Sequence, residues 1–423
     1  MATTDRRPVL IVIGAGNHDD HAHLLQQIAT VHPVVLLDAE PPAWTWEYVA
    51  GLWALSMDDE ESVLAAVRHL SADRGVAGVM TYLAEHVPMT AQLAEQFGLP
   101  GMGTSAAAAL RDTAVTRQLL EHAGVPTLAS YVAETEPSAV DFAGLLGHPV
   151  IVTPRGATAA LVGALRATTP DEVRSAYRAA AVESYGHGPG VLIEECLAAP
   201  QISAQCVVRS PTDVRAVAIT RTSLSAKHPT AQVTSLDMVV AAEDSLLSDP
   251  AILTVVQRAV EALEFGSGVA RVTMCRAPGG PRVTEVQGHL ADDLGPLLVH
   301  HALGVSLPAA AATLATGGNP SPEPSRDRAA AAQILYAAQD GTLSRLTRRG
   351  ADWPWLARRA HGDAHVGDHV QAPPHPRHTD RLAWWVVTGR NSWVCATRLH
   401  LIAATVTVSI TPTQPTITAA DAR

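Results

Sequence analysis

The sequence predicts an N-terminal α/β domain on a parallel sheet (residues 1–108), then an α+β domain (109–318) and a small α+β C-terminal domain (329–423). Three observations carry this reading. In the N-terminal part, β-branched runs alternate with amphipathic helical stretches, which implies a parallel sheet with right-handed crossovers. From residue 191 onward strand-like stretches follow one another closely and end in a hairpin pattern, which points to antiparallel pairing. The Pro/Gly/Ser-rich stretch GGNPSPEPSRDR at 317–328 then reads as a linker to the last domain.

Taken in order, PVLIVIG at 8–14 reads as a buried strand, and GAGNHDDHAHLLQQIA as a glycine turn entering a helix. The GAG falls short of the GxGxxG fingerprint and gives a dinucleotide site only weak support. Strands are expected at 34–39 and 75–83, with helices at 58–71 and 85–97. In LRDTAVTRQLLEHAGVPTLASYV at 110–132, Asp112 caps a helix whose apolar face includes Val115, Leu119 and Leu120. Gly124 stops that helix and Pro126 follows. Residues 147–173 give a strand, a Gly/Ala-rich loop, a second strand and a helix starting near Pro170. Residues 191–208 give two strands around the acidic pair Glu194 and Glu195, 213–225 extends the antiparallel sheet, and 247–265 is a helix. The hairpin consists of strands 269–275 and 282–287 joined by APGG at 277–280, where proline and paired glycines supply the turn backbone.

Composition bounds the function. A hydrophobic share of 47% and a charged share of 17% fit a soluble globular protein. A net charge of −11 argues against nucleic acid or an acidic membrane surface, because phosphate recognition needs a basic face. The N-terminal apolar run is too short for a signal peptide, and no stretch has the length of a membrane span, so a cytoplasmic protein is expected. Cys196, Cys206, Cys275 and Cys395 are scattered and read as reduced thiols. The chain has 29 arginines and one lysine, Lys227, so any role for a cation falls on that lysine or on arginine.

Two histidine groups invite a metal reading: His18, His21 and His23 with Asp19, and His361, His365 and His369. The first reads more simply as polar residues opening a helix. The second reads as loop and strand surface, because Gly362 and Gly367 oppose a helix there.

Five segments resemble the ATP-grasp superfamily, in the branch of L-amino acid ligases and related carboxylate–amine ligases. LRDTAVTRQLLEHAGVPT is similar to its "RDK…R..L..AGVP" helix and GHPVIVTPRGA to its "P.VvKP" strand and glycine loop. VLIEECLAAPQ is similar to the hinge strand, GGPRVTEVQGHLADDLG to "GP.liEvN.R..Gd", and GDHVQAPPHPRHTDRLAWWVVTGR to the branch's C-terminal domain. The resemblance implies a lid at about 127–195, ATP between two α+β halves, Mg²⁺ on the phosphates, an acyl phosphate intermediate, and a small amino acid or carboxylate substrate. It also admits a homodimer.

Transferred position by position, the resemblance also marks departures. The phosphate-side lysines fall at Thr113 and Thr153, and the ribose acid at Gln201. One metal carboxylate falls at Thr273, while Glu285 is kept and the asparagine ligand becomes Gln287. The arginine that steadies the transferring phosphate becomes His289, and Asp292 replaces a glycine beside the retained Asp293. Glu194 and Glu195 remain for the nucleotide. Threonine cannot supply the charge of an ammonium, and one carboxylate in place of two compensates a metal poorly. Arg155 and Arg271 are the candidate substitute cations, whereas Arg117 is expected at the domain surface. Three readings follow: a divergent ligase, a pseudoenzyme that keeps the fold as a scaffold, or a repurposed enzyme using Glu285, His289, Asp292, Asp293 and Cys275.

Overall fold

The computed structural model describes residues 7–155, 164–184, 188–197, 199–225, 232–290, 294–348, 353–362, 364–372 and 378–412. The N-terminal unit holds β1 (Val9–Ile13), α1 (His18–Ala29), β2 (Val34–Asp38), β3 (Gly51–Ala54), α2 (Glu60–Asp73), β4 (Val76–Met80) and α3 (Val87–Gln96). Its strands form a parallel sheet in the order β3-β2-β1-β4. All five residues of β1 are buried, as expected of a central strand covered on both faces. Asn17 and Asp59 accept from backbone N–H groups at the starts of α1 and α2 and so satisfy orphan donors there. Strand β3, with its partly exposed GLWA, is an edge strand that the apolar pattern did not announce.

Two short helices follow, α4 (Thr104–Leu110) and α5 (Thr113–His122). Helix α4 is alanine-rich and was also not anticipated, since its apolar face consists of Ala106, Ala107 and Ala109. Asp112 caps α5 as expected, accepting from the Ala114 N–H, and Gly124 ends it at φ +65°, a conformation that suits glycine. The next unit is an antiparallel sheet with two helices on one face: β5 (Ser130–Ala133), α6 (Glu136–Leu146), β6 (Val150–Pro154), β7 (Leu165–Ala167), α7 (Pro170–Glu183) and β8 (Val191–Glu195). Its strand order is β5-β8-β6-β7. Val150, Val152, Val191 and Ile193 pack under the helices, which leaves Thr153 and Glu194 on the opposite face.

The largest element is an eight-stranded sheet. It contains β9 (Gln201–Ser210), β10 (Asp213–Ser225), β11 (Val233–Ala241), then helix α8 (Pro250–Ala262), and the hairpin β12 (Gly268–Ala277) and β13 (Gly280–Gln287). Helices α9 (Gly295–Leu303) and α10 (Leu307–Ala315) follow. The C-terminal segment supplies β14 (Ala329–Ala337), β15 (Gly341–Arg348), β16 (Leu356–His361), β17 (His369–Val370), β18 (Ala383–Gly389), α11 (Ser392–Ala403) and β19 (Val406–Pro412). The sheet order β13-β12-β9-β10-β11-β14-β18-β16 is continuous across the 317–328 linker, because β14 pairs with β11 through nine residues. Strands β17, β15 and β19 make a separate small sheet.

Helices α9, apart from His300 and His301, and α10 are largely apolar and lie in the main core with Leu24, Leu36, Val240 and Ile334. Among the described residues no single helix is long and apolar enough to cross a membrane. The bent pair α9–α10 has the composition for it, but those helices are packed inside the protein.

Candidate functional site

The cleft under the β5–β8 sheet is built by five elements: α5, β6, β8 and the β12–β13 hairpin. Pairing register sets which side chains share its polar face. Thr273 lies opposite Glu285 across the hairpin, Arg271 opposite Gln287, and Ser203 and Gln205 continue that face on β9. Gly288, just beyond β13, packs tightly: an added Cβ would stand 2.8 Å from Met102 Cε and 2.9 Å from Phe265.

The Glu285 position is a closed polar network. Glu285 Oε2 lies 3.6 Å from the Arg271 guanidinium, and Glu285 Oε1 accepts from Gln287 Nε2 at 2.6 Å. Arg271 donates in turn to Gln287 Oε1. The Thr273 hydroxyl is buried and hydrogen-bonds Ser203 Oγ at 3.0 Å. The expected metal set, Glu285, Gln287 and Thr273, is therefore brought together, but with a guanidinium inside it. Magnesium does not fit this donor set. A single carboxylate already neutralised by arginine offers little charge compensation, and Arg271 would repel a divalent cation. Among the described residues no group of three or more His, Cys, Asp or Glu could hold a metal.

The other cleft carboxylates are matched in the same way. Arg155 donates through Nε to both oxygens of Asp112, at 2.9 and 2.8 Å, and through a terminal nitrogen as well. This fork binds the candidate phosphate cation Arg155 to the α5 cap. Glu195 pairs with Arg282 and accepts from the Ala129 N–H at 2.6 Å. Thr113 is half-buried, Thr153 is buried, and Gln201 is exposed at the start of β9.

Arg117 corrects the sequence reading. It was expected at the surface, yet it is only 2% exposed. Its Nε donates to Glu194 Oε1 at 2.6 Å and a terminal nitrogen donates to the Thr284 carbonyl, so it joins α5, β8 and β13. Its Nη1 is buried without a partner among the described residues. Its helical spacing was legible, since Arg117 lies three residues before the fully buried Leu120; its long polar head obscured the assignment. A small cavity of about 40 Å³ is lined by Thr113, Thr116, Arg117, Glu285, Gln287 and His289. Thus His289 does reach the region of Glu285.

Cys275 shares the register face of Thr273, whereas the histidine groups lie apart from the cleft. Cys275 is buried, and burial pushes its thiol pKa up, away from a reactive thiolate. All four cysteines are free. His21 is buried, accepts at Nδ1 from the Asn17 N–H, and stacks on Tyr82 with centroids 5.7 Å apart. It stabilises the turn into α1, whereas His18 is exposed beside Asp19. His365 and His369 are exposed, as expected of loop and strand surface. Lys227, His228, Asp292 and Asp293 lie outside the described residues.

Residues 20–101 match the ATP-grasp N-terminal domain family. A Sinorhizobium fredii protein described as uncharacterized, y4rH, is 25% identical over 318 residues; the match covers 74% of this chain and 64% of that protein, so this chain spans less than two thirds of it. An L-amino acid ligase from Bacillus licheniformis superposes with a TM-score of 0.73 at 20% identity, covering 96% of this chain and 100% of that one. N5-carboxyaminoimidazole synthetase from Staphylococcus aureus, complexed with ADP, gives 0.67 at 12% identity, with 94% and 97% covered. The parallel N-terminal sheet, the four-stranded sheet over the hairpin and the match along nearly the whole chain give one conclusion: this protein has the ATP-grasp fold.

Proposed function

We propose that the inter-domain cleft binds an anionic small molecule of the amino-acid or carboxylate class and does not assemble magnesium–ATP at Glu285 for acyl-phosphate formation. The observation that carries this is the Arg271–Gln287–Glu285 network, which puts a fixed cation where a metal would need free carboxylates. Thr113 and Thr153 supply no charge for a triphosphate, and Asp112 holds Arg155. The buried Arg117 Nη1 beside the small cavity is the donor available to an anion. The chain on this reading keeps the ligase scaffold without its metal-dependent phosphoryl transfer.

A second reading is favoured by the retained covering sheet and by the structural likeness to ligases over 96% of the chain. In it, Arg271 supplies the positive charge at a nucleotide and ligation proceeds with little need for metal. Isothermal titration of ATP with and without Mg²⁺ separates the two. The first expects no magnesium-dependent heat at millimolar ATP, and micromolar magnesium-dependent affinity would overturn it. The second expects metal-independent ATP binding and ADP release on addition of an amino acid. The homodimer remains a proposal, tested by light scattering of the purified protein.

A further inference from the structure

A larger cavity lies on the opposite face of the eight-stranded sheet. It encloses about 730 Å³ between β10, β11, β14 and helix α11. Register places its polar floor on that face, while Gln201 and Thr222 reach its edge from the other parity. Ser223 faces Asp237 across β10–β11, and Asp237 faces Gln333 across β11–β14, so these three share one face. Thr220 and Thr222, two strand positions of the other parity, share the cleft face with Ser203 and Gln201.

The cavity floor is polar in a sheet that is otherwise apolar around it. Gln333 is 6% exposed and Ser235 1% exposed. Gln333 Nε2 donates to Asp237 Oδ1 at 2.8 Å and lies 3.4 Å from Ser235 Oγ. That fixes the amide, and its Oε1 is left buried with no partner among the described residues. A buried acceptor without a donor costs about 1–3 kcal/mol, so a ligand that supplies an N–H would be stabilised there. Burial also holds the Asp237 carboxyl above its usual range, against the hydrogen bonds from Gln333 and Ser235. The unpartnered Gln333 oxygen calls for a donor, and the adjacent Asp237 carboxyl favours one that carries positive charge. The rest of the lining mixes apolar side chains, Val239, Ala331 and Leu399, with polar ones, Gln201, Thr222, Ser223, Arg276 and His400, and includes Trp393, which is 72% exposed. Two arginines line the cavity: Arg221 is forked onto Asp244 at 2.6 and 2.8 Å, which lowers its repulsion of a positive ligand, and Arg276 is exposed on β12.

We propose that this cavity is a second small-molecule site that takes a primary amine with an aromatic or aliphatic body, its ammonium held by Asp237 and Gln333 Oε1 and its body lying between Leu399 and Trp393. The proposal does not rest on what the inter-domain cleft binds.

The test is isothermal titration of the full chain with phenethylamine and with hexylamine, beside 2-phenylethanol as the uncharged control. Saturable binding of an amine, at least about tenfold tighter than the alcohol, is expected, because a charge-assisted hydrogen bond contributes about 1.5–3 kcal/mol. Asp237→Asn keeps the side-chain shape and should weaken the amine by about tenfold or more. Ala396→Trp, from an exposed position on α11 that lines the cavity, should block both ligands even if Asp237→Asn fails to fold. The proposal is overturned by no amine heat up to about 5 mM, by equal binding of the alcohol, or by amine binding that survives Ala396→Trp. It is also overturned if the cavity is the contact between two copies, seen as a dimer that Ala396→Trp converts to monomer with no amine bound.

Discussion

Removing the Arg117 guanidinium would leave Glu194 as an unpaired carboxylate only 5% exposed. Arg117→Met should therefore cost about 3–5 kcal/mol in urea denaturation, and pairing it with Glu194→Leu should recover much of that loss. A surface arginine, as the sequence suggested, would cost well under about 1 kcal/mol. A complementary experiment restores what the hairpin lacks. Thr273 faces Glu285 directly, so Thr273→Glu with Arg271→Ala would place two carboxylates side by side without the guanidinium. That double variant should bind Mn²⁺ in an electron paramagnetic resonance titration where the parent chain does not. Binding by the parent would contradict the closed network. At this scale the sequence was legible where identity alone decides, as in the threonines at 113 and 153. It was not legible where partner choice decides: nothing in the linear chain reveals that Arg155 pairs with Asp112, 43 residues away, or Arg117 with Glu194, 77 residues away.

Among the elements, the β5–β8 sheet is fastened to the body by arginine–carboxylate pairs at both ends. Arg155, just past β6, grips Asp112 at the start of α5, and Arg282 of β13 pairs with Glu195 of β8. Asp112 serves twice, since it also caps α5. Asp112→Asn keeps the cap and loses the ion pair; Asp112→Ala loses both and should be less stable by about a further 1 kcal/mol. Both variants should raise hydrogen exchange in residues 150–154 and 191–195, read by mass spectrometry. Unchanged exchange would mean that the hairpin side alone holds the sheet. Helix and strand periods made most of these elements readable, including the hairpin and the start of α7 at Pro170. Helix α4 escaped because alanines carry little contrast between faces, and β3 because a four-residue edge strand has too few alternations to register.

For the whole molecule, histidines at the junction of α1, α9 and β16 set an acid limit. Burial, with Arg358 and His21 nearby, lowers His23 to about 3, and burial with His300 and neighbouring arginines lowers His301 to about 4. Above the usual 6.5 both folded and unfolded chains are neutral at these rings, so there is no penalty. Below it the unfolded chain takes up protons that the folded chain refuses, so stability falls as pH drops from 6.5 toward those values. His23 alone should contribute about 1.4 kcal/mol per pH unit in that window. The melting temperature of His23→Gln should decline less steeply between pH 6.5 and 4.5 than that of the parent; parallel slopes would refute this. The overall order of sheets was readable because alternating and consecutive strand patterns differ in period and spacing. Which strands meet across the 317–328 linker was not, because pairing between β11 and β14 joins residues nearly a hundred positions apart.

That pairing has a practical consequence. A fragment ending at the linker would present all nine residues of Val233–Ala241 as a bare sheet edge, stripped of the Ala-rich strand that covers it. Bare edges recruit strands from other molecules. Gene fragments cut at this proline-rich stretch should yield insoluble protein, and supplying the missing segment as a separate chain should rescue solubility by complementation.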